Sequence, residues 1–303
     1  TTSATAPTFN LYGKIGSDDV TITATATYDT PAAGTGKRIS IVYSLSGPDE
    51  GNYLKPTYTL TTASCAIIKK RLTISAPTLE TVEKTYDGTT NVLGSITTGT
   101  LSGILEGEVV TVGANASYKS ANVTYGASGG EFNPITVVYS LSGLNSINYD
   151  PPVNQQLWGA IVKKQLSVIG TVFPASKVYD KSSTITITEW GTLSGRIADD
   201  DVSLSNVIAY YSGSYSSNVG ADKPVTINYT INGTDAYNYY LNNDTSKTAS
   251  ITAAVLTATV GDYTQQYGSA APTFTVNVTG FVGSDSASNV LGYSAPTATA
   301  GTN

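Results

Sequence analysis

Three consecutive carboxylates, Asp199, Asp200 and Asp201, and the pair Asp18-Asp19 concentrate oxygen ligands in this 303-residue sequence. A hard cation such as Ca²⁺ takes roughly six to eight oxygens, so Asp199, Asp200 and Asp201 are the residues through which the chain could hold one. No Asp-x-Asp-x-Asp-Gly loop surrounds them, and a solvated turn ahead of Val202 or Val20 is the simpler reading. Clustered tyrosines, Tyr210-Tyr211 and Tyr237-Asn238-Tyr239-Tyr240, could stack on sugar rings. Neighbouring strand residues face opposite ways, however, so one of each adjacent pair is expected in a core. Paired carboxylates can cleave glycosidic bonds, but here acids such as Asp87 and Asp180 sit at turns without an enzyme-like framework. With no His and one Cys, the Ser-His and Cys-His pairs, His-ligated zinc and thiolate clusters are excluded. We expect no catalytic residue, no cofactor and no enzyme activity.

The elements that must position these residues are strands. Thr, Ser, Val, Ile and 21 Tyr suit a pleated, half-buried surface, whereas strong helix formers are scarce and Met is absent. Charge also narrows the partners. A net charge of −6 offers no basic footprint to nucleic acid, and no apolar run is long enough for membrane insertion of this segment. The single Cys65, in an apolar run, is expected to act as a small buried hydrophobe.

Self-comparison shows how the strands are organised. Val42-Tyr43-Ser44-Leu45-Ser46-Gly47 recurs as Val138-Tyr139-Ser140-Leu141-Ser142-Gly143 and as Asn228-Tyr229-Thr230-Ile231-Asn232-Gly233. Each copy is followed by an Asn-Tyr pair, ending at Tyr53, Tyr149 and Tyr239. Tyr86-Asp87-Gly88 recurs as Tyr179-Asp180-Lys181, and an acid precedes Val at Asp19-Val20, Glu108-Val109 and Asp201-Val202. The period of 90 to 96 residues is too long for a solenoid and suits a β-sandwich. Ile135, Val137, Tyr139 and Leu141 alternate with polar neighbours, as do Ile39 to Leu45 and Val225 to Ile231, the signature of half-buried strands. Turn clusters such as Tyr125 to Gly130 separate the runs without an amphipathic helix, so antiparallel pairing is expected.

The chain therefore divides into a partial repeat over 1–71, whole repeats over 72–165 and 166–255, and a partial unit over 256–303. Apolar closing runs pass from one unit into the next without a flexible linker, which predicts a semi-rigid, extended rod. Tyr53, Tyr149 and Tyr239 are expected to anchor a corner by hydrogen-bonding their hydroxyls to nearby backbone. The lysines of Lys69-Lys70-Arg71 are expected to guard a strand edge. Tyr43, Tyr86, Asp87, Gly88, Tyr139, Tyr179, Asp180 and Tyr229 complete the set of structural repeat positions.

Tyr86 to Thr89, Gly99 to Gly103, Tyr139 to Gly143 and Asn148-Tyr149 together resemble the YDG-type repeat of very large bacterial surface proteins. Gln266-Tyr267-Gly268, Pro272-Thr273-Phe274 and Gly280 to Asp285 are similar to the MBG-type module that accompanies it. The resemblance implies tandem antiparallel immunoglobulin-like sandwiches, all-β, in a secreted adhesin of the filamentous-haemagglutinin-like or gliding-motility type. It implies a non-enzymatic stalk at the extracellular bacterial cell surface whose partners are the adjacent repeats of the same chain. Two other readings stay open: a carbohydrate-binding module recognising host or environmental glycans, and a filament subunit self-associating through strand edges.

Overall fold

The computed structural model describes all residues except 1, 7, 9, 10, 62–64, 125–131, 271–273, 291–293 and 295–303. The turn cluster expected over Tyr125 to Gly130, and Pro272 and Thr273 of the MBG-like motif, lie outside the described residues. Among the described residues the chain is all-β, with no α-helix and three single turns of 3₁₀ helix. Two compact units form, one from residues 1–84 and 89–161, the other from 85–88 and 162–303.

In the first unit, strands Ser3–Ala4, Thr21–Tyr28, Arg38–Ser46 and Thr57–Thr61 form one sheet, with Thr21 opposite Ser46 and Tyr28 opposite Ile39. Its second sheet runs in the order Glu83–Thr85, Gln155–Val162, Asn133–Ser142, Thr111–Tyr118. The expected alternation is visible in Asn133–Ser142, where Ile135, Val137 and Tyr139 are buried and Val138 and Ser140 are exposed. Burial of each such Ile or Val contributes about 1.5–3 kcal/mol, which fixes the strand register, because a one-residue slip would turn this whole face to water. A second apolar cluster joins Leu72, Val110 and Tyr149, with Leu101, Ile104 and Leu141 packed on it.

In the second unit, five strands assemble in the order Ser176–Val178, Asp244–Thr252, Gly220–Asn232, Ser203–Tyr211, Thr184–Ile185. Val225, Ile227, Ala209, Tyr211 and Ile251 fill its core. A smaller sheet places Lys164–Ile169 between Thr192–Ser194 and Tyr239–Leu241. Thr257–Val260 and Val276–Thr279 pair separately.

Pairing is mostly antiparallel, but not throughout. Lys70–Arg71 runs parallel to Tyr149–Asp150, Lys164–Ile169 parallel to Tyr239–Leu241, and Ser176–Val178 parallel to Asp244–Thr252. These pairs join the start of a repeat to its end, a connection of many residues that a parallel pair requires and a hairpin does not. Lys70–Arg71, from the run expected to guard a strand edge, forms one strand of a two-stranded sheet and is laddered to the strand that begins at the tyrosine of the Asn-Tyr pair, as is Lys164 in the next repeat. Cys65 is half-buried rather than buried, beside the two-residue strand Ala66–Ile67, which pairs with Gly34–Thr35.

Candidate functional site

Each Tyr-x-Leu-x-Gly strand ends where the backbone must pass close to another carbonyl. Gly143 lies at φ 103°, and a Cβ there would stand 2.7 Å from the carbonyl oxygen of Val109; at Gly233, φ 122°, it would stand 2.1 Å from that of Asp201. Glycine alone meets both demands. Two residues on, Asp49, Asn145 and Asp235 accept the backbone N–H of Asp19, Val109 and Asp201 at 2.7, 2.9 and 2.9 Å. One 3₁₀ turn then delivers the Asn-Tyr pair.

The tyrosine hydroxyl that follows has the same two partners in every repeat. Tyr149 accepts the N–H of Leu105 at 3.0 Å and donates to Glu108. Tyr239 accepts that of Ile197 at 3.0 Å and donates to Asp200. Tyr53 accepts that of Ile15 at 2.9 Å and donates to Asp18 at 2.8 Å. The acidic column is thus Asp18, Glu108 and Asp200. Aligning Glu108-Val109 with Asp19-Val20 and Asp201-Val202 slips the register by one: the buried valines are Val20, Val110 and Val202.

Burial, then the hydrogen bond to Asp200, pushes the Tyr239 phenol up to about 12. Tyr149 moves the same way through burial and the Glu108 carboxylate. At Tyr53 the Ile15 N–H pulls downward, but burial and Asp18 prevail and the net shift is upward.

The Tyr-Asp turns add a second layer. In the second unit, Tyr86 also donates to Asp200, at 2.8 Å, and its ring meets Tyr239 edge-on with centroids 5.4 Å apart. Burial first, and then Asp200, raises the Tyr86 phenol strongly. The turn of the third repeat makes the matching contact to the MBG-like segment, where Tyr179 donates to Asp285 at 3.4 Å. Lys181, at φ 65° where Gly88 has φ 76°, pairs with Asp285 at 2.6 Å. Within that turn Lys177 donates to Asp180 at 2.8 Å and to the carbonyls of Ser182 and Thr184, and Lys177 holds the Asp180 carboxyl below its ordinary range. In the first unit Lys84 likewise donates to the carbonyl and hydroxyl of Thr89, over the Tyr118 ring. Lys84 and Lys177 precede Tyr86 and Tyr179 by the same two residues, a column that sequence comparison starting at the tyrosine passes over.

The remaining candidates separate. Asp200 is bracketed by two phenols, and Asp201 accepts the N–H and hydroxyl of Thr234. Among the described residues no group of three or more His, Cys, Asp or Glu side chains gathers in a way that could hold a metal ion. Of the tyrosine clusters, Tyr211 and Tyr239 are buried, while Tyr237 and Tyr240 are exposed. Tyr43 and Tyr229 are half-buried on their strands and Tyr139 is buried. The arrangement positions hydroxyls, carboxylates and backbone to brace turns.

The YDG domain description matches residues 1–62, 68–155 and 162–249, and the MBG domain (YGX type) matches 256–303. No curated protein and no solved structure matches the chain. Three successive matches make this a repetitive domain region, and the chain belongs to the YDG domain family.

Proposed function

We propose that this chain is a non-enzymatic stalk segment of a secreted bacterial cell-surface adhesin, projecting an adhesive region and bearing mechanical load. One observation carries the reading. The recurrent Tyr-Asp turn of one repeat reaches the corner of the following domain, through Tyr86 on Asp200 and through Tyr179 and Lys181 on Asp285. The repeat signature is thereby used for joining successive domains, which suits a load-bearing array better than a ligand site. In the first unit the N–H of Ala33 donates to Asn148 at 2.9 Å, another bond from one repeat to the next. Such polar stitches, each worth about 0.5–1.5 kcal/mol, add to contacts such as the Tyr86 ring on Tyr239 in restraining the joints.

Pulling the full chain between its ends tests this. A stalk gives successive unfolding events, each releasing about 90 residues or roughly 300 Å of extended chain. A chain that extends smoothly at low force overturns it. A glycan array bound through Tyr237 and Tyr240 would favour the carbohydrate-binding alternative.

A further inference from the structure

Two corners of the second unit each receive a Tyr-Asp turn. The segments Gly195 to Asp200, in a YDG repeat, and Gly280 to Asp285, in the MBG module, are built alike. Gly195 and Gly280 lie at φ 94° and 100°, and the N–H groups of Asp200 and Asp285 donate to the carbonyls of Ile197 and Val282 at 3.2 and 3.0 Å. The strand ahead of each is also paired alike, with Ser194 opposite Ser167 and Thr279 opposite Thr257. The closing aspartate accepts the phenol of the incoming turn, Tyr86 on Asp200 and Tyr179 on Asp285.

The two incoming turns differ in the residue after Tyr-Asp. A Cβ on Gly88 would already touch the Cγ2 methyl of Ile197 at 3.4 Å, so a longer side chain there runs into the corner. Both Tyr86 and Tyr239 donate to Oδ2 of Asp200, which the turn therefore reaches without a third side chain. At the MBG corner the smaller pair Val282 and Gly283 stands where the YDG corner has Ile197 and Ala198. The stem of Lys181 passes there, its Cδ 3.5 Å from where a Cβ on Gly283 would stand, and its ammonium reaches Asp285 at 2.6 Å and the Ser284 hydroxyl at 3.0 Å. The bonds of Lys177 hold this turn from within, so the strain of lysine at φ 65° is present docked or free, and the contacts to Asp285 and Ser284 are what Lys181 adds on docking.

We propose that the two corners are one socket carried by both domain types, and that the residue after Tyr-Asp matches the turn to the domain that follows: glycine to a YDG corner, lysine to an MBG corner. The proposal rests on the reading of these turns as joints between successive domains.

NMR on the full chain tests it, with the ratio of docked to free turn at each corner taken from the Tyr86 and Tyr179 ring resonances and minor states from relaxation dispersion. Gly88→Lys should lower the ratio at the Asp200 corner at least about tenfold, as overpacking does, and leave the Asp285 corner unchanged. Adding Ile197→Val and Ala198→Gly, which rebuilds the MBG-type corner, should restore it to within about threefold. Lys181→Gly should lower the ratio at the Asp285 corner about fivefold at low ionic strength, the worth of a partly exposed ion pair, with most of the difference gone near 1 M salt. A Gly88→Lys chain that docks as before, a loss that the rebuilt corner does not reverse, or no loss with Lys181→Gly at low salt overturns the proposal and leaves the joints standing. Turns that are free at both corners of the unmodified chain would instead sink the reading of them as joints, and this proposal with it.

Discussion

Tyr239 in the third repeat and Tyr53 in the first occupy the same corner, accept a backbone N–H at 3.0 and 2.9 Å, and donate to an aspartate in the same column. Tyr239 is 1% exposed, while Tyr53 is half-buried at the rim of an open cleft. The hydrogen bonds are set by the local Gly-x-Asp-x-x-Asn-Tyr segment and its 3₁₀ turn, so they survive in both places. Around Tyr239 stand the Tyr86 ring, edge-on with centroids 5.4 Å apart, and the strand of the buried Leu166, about 70 positions earlier in sequence; among the described residues of the first repeat no strand takes that second place. A local motif can therefore draw its polar geometry from its own turn and its stability from a distant strand.

The largest effect should come from removing that distant residue. Leu166→Ala deletes a fully buried side chain and should destabilise the third repeat by about 2–5 kcal/mol, the usual cost of such a cavity. Denaturant unfolding with amide exchange on Ser203–Tyr211 and Gly220–Asn232 measures it. If the loss is under about 1 kcal/mol, Leu166 is not what separates this corner from that of the first repeat.

Next in size are the hydroxyls themselves. Tyr239→Phe leaves the Ile197 N–H without its acceptor in a part-buried corner, and should cost about 1–3 kcal/mol. Tyr149→Phe should match it. Tyr53→Phe should cost less than about 1 kcal/mol, because water reaches Ile15 and Asp18. Equal losses at all three positions would mean that burial does not govern the corner.

Much of this was legible in the residues and some was not. The three Tyr-centred strands follow from alternation, and the corner role of the Asn-Tyr tyrosines follows from their recurrence at one offset from those strands. The acidic partner was misregistered because Val109 and Val110 are adjacent, so either satisfies an acid-then-valine column; only burial distinguishes Val110. The parallel pairs escaped for a different reason. Residues such as Lys70 and Tyr149 lie far apart in sequence, and alternation reports which way a strand faces but not which strand lies beside it. Asp285 as the partner of Lys181 has no sequence signal beyond charge, since the contact crosses from one repeat type to another.

Alkaline titration sharpens the same comparison. A free tyrosine titrates near about 10, and Tyr239 is held up to about 12 in the folded chain. As pH rises through about 10 the unfolded chain loses this proton first, so the stabilisation is complete below that pH and declines until about 12. Unfolding free energy of the third repeat should therefore fall between pH 10 and 12, and Tyr239→Phe should flatten the slope. A profile unchanged by Tyr239→Phe would assign the loss to other groups.

The smallest effect belongs to the two Tyr-Asp turns, where Gly88 and Lys181 share a left-handed backbone at φ 76° and 65°. Lysine in that conformation costs about 1 kcal/mol, and its partly exposed ion pair with Asp285 returns about as much at low ionic strength. Lys181→Gly removes both contributions and should change stability by less than about 0.5 kcal/mol at low salt. Near 1 M salt the Debye length falls to about 3 Å and the ion pair weakens, while the backbone strain of lysine does not. Lys181→Gly should then be the more stable form by several tenths of a kcal/mol, a crossover that thermal melts at two salt concentrations would detect. A Lys181→Gly variant that is less stable at both concentrations would show that the contact to Asp285 is stronger than its exposure allows, and that this turn is held more tightly than the Gly88 turn it replaces.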